Sequence, residues 1–325
     1  MASASLRWVV FTTLVFFFVR DCSGQLVTGF YNATCPNLTS IISSRLNILL
    51  AADVGLAAGL LRLHFHDCWV RGCDGSVLLN STNGNVAEKD STPNANSLIG
   101  FAEIDTIKSD VEAACPGVVS CADILALAAE DATSKVGNVS WPVPTGRRDG
   151  TVSIASEAVT NLPPPSFNFA QLVQNFATFG LDTKDMVVLS GAHTIGRTRC
   201  LHVTQRLWNF TGVFNTTDPS INATFVDFLK GVCPSNAGTR QFVSLDSTGQ
   251  TFDSIFYNNI LALKGVLGSD SELINNAQGL QIINTMLANI SFAADFGVSM
   301  VKLGNVQVKT GTVGEIRKNC AVINS

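Results

Sequence analysis

Apolar residues recur at three- and four-residue spacing along much of this chain. The run from Leu38 to Leu61 has that period, and so does Ile104 to Ala114. Val118 to Ala129 and Phe169 to Phe179 read the same way, so each predicts a helix with one apolar face. Strict alternation is scarce; Val298 to Val308 is the best candidate for a strand. The segment TNLPPPSF, Thr160 to Phe167, predicts a stiff proline turn before a helix. No repeat and no low-complexity linker interrupts the pattern. The expected fold class is all-α, mostly helical, with long loops.

The N-terminus is set apart from this pattern. Met1 to Arg7 is short and basic, WVVFTTLVFFFV (Trp8 to Val19) is apolar, and Cys22 to Gly24 are small. These features predict a signal peptide over residues 1–24, cut before Gln25. The apolar run falls short of the about 20 residues needed to span a bilayer. A secreted protein with no membrane segment is therefore expected. The remaining 301 residues suffice for one large domain or two sharing a core. They carry 19 Lys and Arg against 24 Asp and Glu, a net charge of −5 with no basic run, which argues against nucleic acid as a partner.

Cysteine usage agrees with secretion. Eight cysteines lie beyond Gln25, an even number that predicts four disulfides in an oxidising compartment. Eight cysteines permit about 105 pairings, so the count alone selects none of them. Eight glycosylation sequons, at Asn32, Asn37, Asn80, Asn138, Asn209, Asn215, Asn222 and Asn289, predict surface glycans on several of them.

Candidate chemistry concentrates in two stretches. In LLRLHFHDCWVRGCDGS, Leu60 to Ser76, Arg62 and His66 are four apart and share a helix face beside Phe65. An imidazole base beside a fixed guanidinium suits proton abstraction from a small substrate, with the cation stabilising the charge that develops. His64 falls on another face, as a structural hydrogen-bonder. Asp67, Val70, Gly72, Asp74 and Ser76 offer carboxylates, carbonyls and a hydroxyl at spacings that suit calcium. A solvated turn is the plainer reading of two Asp in a glycine-containing loop. Zinc-type ligand spacings are absent. In the second stretch, DMVVLSGAHTIGRTRC (Asp185 to Cys200), His193 stands at the far end of an apolar helix that Asp182 caps. Alone it reads as a core histidine. Together with the first stretch it becomes a candidate axial ligand to haem iron.

These two stretches, with GFYNATCP, EKDSTPNANS, SCADILALAAEDA, VPTGRRDG, NLPPP, FDSIFYNN, SDSEL and RKNCAVINS, resemble the secreted plant haem peroxidases of class III over residues 25–325. The resemblance implies one haem b between a distal half, about 25–160, and a proximal half, about 161–325. It implies that Arg62, His66 and Asn94 are catalytic, that His193 is the axial ligand and that Asp270 is its carboxylate partner. It implies two calcium ions. The first would use Asp67, Val70, Gly72, Asp74 and Ser76, with Glu88 linking it to Asn94. The second would use Thr194, Asp246, Thr248, Thr251 and Asp253. Pro163 would contact substrate at the haem edge. The implied disulfides are Cys35–Cys115, Cys68–Cys73, Cys121–Cys320 and Cys200–Cys233. The implied reaction reduces hydrogen peroxide and oxidises small phenolic donors in one-electron steps, by a monomer in the extracellular space or cell wall.

The chain departs from the family pattern at four places. Ile99 and Glu130 stand where arginines are usual, Trp69 stands for a phenylalanine, and Asp246 to Asp253 is one residue short. A haem-free calcium-binding wall protein and a secreted metallohydrolase are the rival readings. A Soret band would exclude the first, and iron rather than zinc the second.

Overall fold

The computed structural model describes residues 25–325 apart from Thr239; the expected signal peptide lies outside the described residues. Thirteen α-helices dominate the described residues. They are α1 (Leu38–Ala52), α2 (Leu56–Cys68), α3 (Phe101–Ala114), α4 (Cys121–Lys135), α5 (Ala155–Asn161), α6 (Phe169–Thr178) and α7 (Thr183–Ser190), followed by α8 (Leu201–Trp208), α9 (Ala223–Val232), α10 (Ile255–Leu261), α11 (Gly268–Glu272), α12 (Ala277–Ala288) and α13 (Phe292–Leu303). A two-stranded antiparallel ribbon joins β1 (Arg197–Arg199) to β2 (Phe242–Ser244). The mostly helical expectation holds.

The differences have local causes. The Leu38–Leu61 run is two helices, because Asp53 turns extended and its carboxylate accepts the Gly55 N–H at 2.8 Å. The third predicted helix begins only at Cys121, where the Ser120 side chain accepts the Asp123 N–H. The Val298–Val308 strand is not formed; its first half is the end of α13. Phe292, Phe296, Met300 and Leu303 are buried there at helical spacing while Val298 is 59% exposed. The valines that suggest alternation lie on opposite sides of a helix end.

Helix α2 runs between two cores. Leu60 and Leu63 join Ile42, Leu46, Ile104, Ile107 and Ile124 from α1, α3 and α4. Leu61, Cys68 and Trp69 join Met186, Val187, Phe256, Tyr257 and Phe296 from α7, α10 and α13. Helix α4 packs against α2, and its Ala128 and Ala132 share the first core with Leu60 and Leu63. A third cluster surrounds the Cys200–Cys233 bridge under α8 and α9. The other bridges join Cys35 to Cys115, Cys68 to Cys73 and Cys121 to Cys320, so the four match the pairing the resemblance implies.

Buried polar ties connect the cores. Asp123 of α4 accepts from Tyr31 Oη at 2.8 Å and from Arg147 Nη1 at 2.7 Å. Arg147 also donates twice to Gly304 O at the end of α13. A buried pair of this kind is costly to break, by about 3–5 kcal/mol, because one charge is left unpaired.

Candidate active site

Burial of Leu60, Leu61 and Leu63 on two sides leaves Arg62, Phe65 and His66 along one stripe of α2. His66 is buried, and its Nδ1 lies 2.7 Å from Asn94 Oδ1. The Asn94 amide donates in turn to Glu88 O at 2.9 Å, which fixes its oxygen toward the histidine. An amide oxygen is only an acceptor, so Nδ1 carries the proton and Nε2 is left with a lone pair. Burial, and then the charge of Arg62, hold the His66 pKa well below the ordinary histidine value, against the opposing Asn94 bond. His66 is therefore a neutral base at neutral pH.

Arg62 is fastened by its surroundings. Its Nη1 donates to Ser97 O and Ser97 Oγ at 3.1 and 2.9 Å, and its Nη2 donates to Pro93 O at 3.3 Å. Burial, with the charge of Arg199, brings its pKa down to about 10, so it remains cationic at neutral pH. Phe65 stands edge-on to His66 with ring centroids 5.8 Å apart, and it stacks on Trp69 at 4.2 Å. Trp69, one of the departures from the family pattern, is fully buried between Phe65, Phe176 and Phe179. Its indole N–H is satisfied by Asn175 Oδ1 at 2.8 Å. His64 does not make the ordinary hydrogen bond expected of it. Its ring lies 3.8–3.9 Å from Cys68 Sγ, and burial with the Arg147 charge pushes its pKa down to about 3. His64, Cys68 and Cys73 lie close together, but both sulfurs belong to one disulfide and supply no thiolate for a metal.

The second histidine is held differently. Helix α7 opens with a capping box in which Asp182 and Asp185 exchange bonds, and it ends at Ser190. His193 follows on a 3₁₀ turn, Gly191–Thr194, rather than on the helix itself. Gly191 is packed so closely that a Cβ there would collide with the Tyr257 hydroxyl and the Phe292 ring. His193 Nδ1 lies 2.8 Å from Asp270 Oδ1, on a carboxylate that is almost wholly buried. Burial lowers the His193 pKa, but the Asp270 charge and hydrogen bond outweigh it, so the net shift is upward. The other Asp270 oxygen accepts the Leu267 N–H at the start of α11. Pro163 is half-buried after α5, and the proline turn is tied to α11 through the Ser269 N–H to Pro165 O bond at 2.9 Å.

Two oxygen-rich groups adjoin the histidines. Beside His66, the Asp67 carboxylate accepts from the N–H groups of Gly75 and Val77, and Asp74 accepts from Ser76 N. Ser76 Oγ lies 3.5 Å from Val70 O. Gly72 sits at φ +86°, where a Cβ would strike the backbone of Val306 and Gln307. Burial and the Asp74 charge raise Asp67 to about 8. Burial first, then the two aspartates, raise Glu88 to about 9, and its Oε2 is buried without a partner. Beside His193, Thr194 Oγ1 reaches Asp246 at 2.7 Å and Asp253 at 3.1 Å, and Thr248 Oγ1 reaches Asp246 at 3.2 Å. Burial raises Asp246, with Asp253 adding to it. Thr251 is exposed and joins the group through its backbone, donating to Thr248 O. The shortened segment thus still gathers Thr194, Asp246, Thr248 and Asp253.

Seven of the sequon asparagines are exposed; Asn222 is half-buried, and its Oδ1 caps α9. Several partners escaped the sequence reading. Ser97, which fastens Arg62, and Ser153, which donates to Glu88 at 3.2 Å, sit in loops with no periodic signal. Lys309, which pairs with Asp74, is 235 positions away in the chain.

The family model described as Peroxidase matches residues 42–289. The chain is 48% identical over 311 residues to Peroxidase 3 of Arabidopsis thaliana, covering 94% of each chain. It is 44% identical over 327 residues to Peroxidase 1 of Oryza sativa subsp. japonica, covering 99% of this chain and 100% of that one. It is also 44% identical over 312 residues to Peroxidase 15 of Ipomoea batatas, covering 94% and 95%.

Proposed function

The chain belongs to the peroxidase family, and from that premise we propose which of its residues carry the reaction. It reduces hydrogen peroxide and oxidises donor molecules, and the family implies haem and typically calcium. The donor sets suit both groups. His193 has one ring nitrogen engaged by Asp270, and its other nitrogen would be the one to hold the iron. The buried carboxyls of Asp67 and Asp74, close together in one loop, and the orphaned Glu88 Oε2 suit a calcium ion nearby. Thr194, Asp246, Thr248 and Asp253 suit a second, with Thr251 contributing backbone.

When bound, haem supplies the redox chemistry of the reaction. His66 Nε2 takes a proton from peroxide and returns it to the departing oxygen, which leaves as water. Arg62, held by Ser97 and Pro93, stabilises the negative charge that develops as the O–O bond breaks. Asn94 keeps His66 in the tautomer that can accept that proton. Asp270 would give His193 anionic character, which would strengthen its donation to a bound iron. Two donor molecules each lose one electron and one proton, completing the reduction of peroxide to two waters. Small phenols meeting the site near Pro163 are the proposed donors.

The observation that carries this assignment is the contrast between the two histidines. One faces a neutral amide and is shifted down; the other faces a carboxylate and is shifted up. Those are the electrostatics a proton acceptor and an electron-donating ligand each need. His66→Ala tests it. The reaction with peroxide should slow by at least the about 10²–10⁴ expected of one general base, with haem retained through His193. A variant that reacts with peroxide at the parent rate contradicts the assignment.

The two cores meeting on α2 support a distal half over about 25–160 and a proximal half over about 161–325. Four disulfides and the exposed sequons support a secreted, glycosylated protein of the cell wall or extracellular space, which we propose acts as a monomer. No described helix is long and apolar enough to cross a membrane.

A further inference from the structure

The loop after α2 is covered by the C-terminal strap of the chain. Cys73 N–H donates to Val306 O at 3.1 Å, and Arg317 Nη2 donates to Gly75 O at 2.5 Å. Lys309, on that strap, places its ammonium on Asp74 Oδ2 and lies 3.4 Å from Arg71 O. The strap is itself anchored there, since Arg148 N–H donates to Lys309 O at 2.8 Å. Asp74 is 1% exposed, and its other oxygen accepts from Ser76 N at 2.9 Å. Its two oxygens thus face different tasks, one inside the loop and one toward the strap.

We propose that Lys309 is a resident counter-cation of this loop, which competes electrostatically with calcium for Asp74 and holds the loop together when the ion is absent. This rests on the reading of the loop as a calcium site. A buried carboxylate needs a positive partner. Asp74 can obtain it from the ion, the ammonium or both. An ammonium sharing that carboxylate repels a divalent ion, so it weakens calcium binding. The same ammonium reduces the cost of losing the ion, because Asp74 is never left unpaired. Affinity and ion-dependence of stability are then linked and change together.

The test uses the holoenzyme with Lys309→Met and Lys309→Arg. Calcium affinity is measured by competition with a calcium-indicator chelator, and melting is followed with and without bound calcium. Lys309→Met should bind calcium about tenfold more tightly. Its calcium-depleted form should melt below the depleted parent, while Lys309→Arg should behave as the parent in both measurements. Parent and Lys309→Met binding calcium equally, or Lys309→Met binding it more weakly, overturns this inference alone. Elemental analysis showing no calcium in the parent overturns the inference together with the reading of the loop.

Discussion

Asp270→Asn isolates one charge beside the proposed iron ligand. Both Asp270 oxygens are engaged, Oδ1 by His193 at 2.8 Å and Oδ2 by the Leu267 N–H at 3.2 Å. Asparagine offers one acceptor, so it can serve His193 or Leu267 but not both. Serving His193 turns a charge-assisted bond into a neutral one, a loss of about 1–1.5 kcal/mol. A difference of about 1.4 kcal/mol corresponds to about 59 mV for a one-electron couple, so the Fe(III)/Fe(II) potential should rise by about 40–60 mV. Losing the bond to Leu267 removes a cap from α11 and should cost about 1 kcal/mol of stability. Spectroelectrochemical titration measures the first effect and thermal melting the second. A folded variant whose potential does not move refutes the electronic role and leaves Asp270 only its cap.

The calcium-free protein should lose stability as pH rises. Burial and the neighbouring carboxylates hold Asp67 at about 8 and Glu88 at about 9 in the calcium-free fold, well above the ordinary carboxylate value of about 4. From about pH 4 to 8 the native state therefore holds protons the unfolded chain has released, and stability falls through that window. The melting-temperature gap between calcium-loaded and calcium-depleted protein should widen from pH 5 to 8; a constant or narrowing gap contradicts this. Trp69→Ala should cost about 3–5 kcal/mol, since it empties a fully buried site between Phe65, Phe176 and Phe179. Denaturant unfolding reads that loss, and a loss under about 1 kcal/mol would mean the stack contributes little.

The helices were legible where one face is buried against a core, as in α3 and α6. They misled where apolar residues lie on more than one side. The Val298–Val308 alternation mixes the solvent-facing Val298 with residues beyond the end of α13, so a period of two appears by accident. The Asp53 break was illegible because a side chain turning back on its own backbone leaves no periodic trace. Within the site, Arg62 and His66 were legible from their four-residue spacing. Asn94, Asp270 and the calcium partners were reached through family motifs. Ser97, Ser153 and Lys309 were not reached, because what places them is tertiary contact across loops. The pairing of Trp69 with Asn175 is of the same kind, spanning 106 positions.

The central claim is that the chain turns over peroxide at a haem held by His193 with His66 as its base. Its most direct test is the absorption spectrum of the purified holoprotein during titration. One equivalent of hydrogen peroxide should convert the resting Soret band to that of an oxidised form. Two equivalents of a simple phenol should restore the starting spectrum, and His66→Ala should slow only the first conversion. A protein that purifies without haem, or whose Soret band peroxide leaves unchanged, contradicts the account.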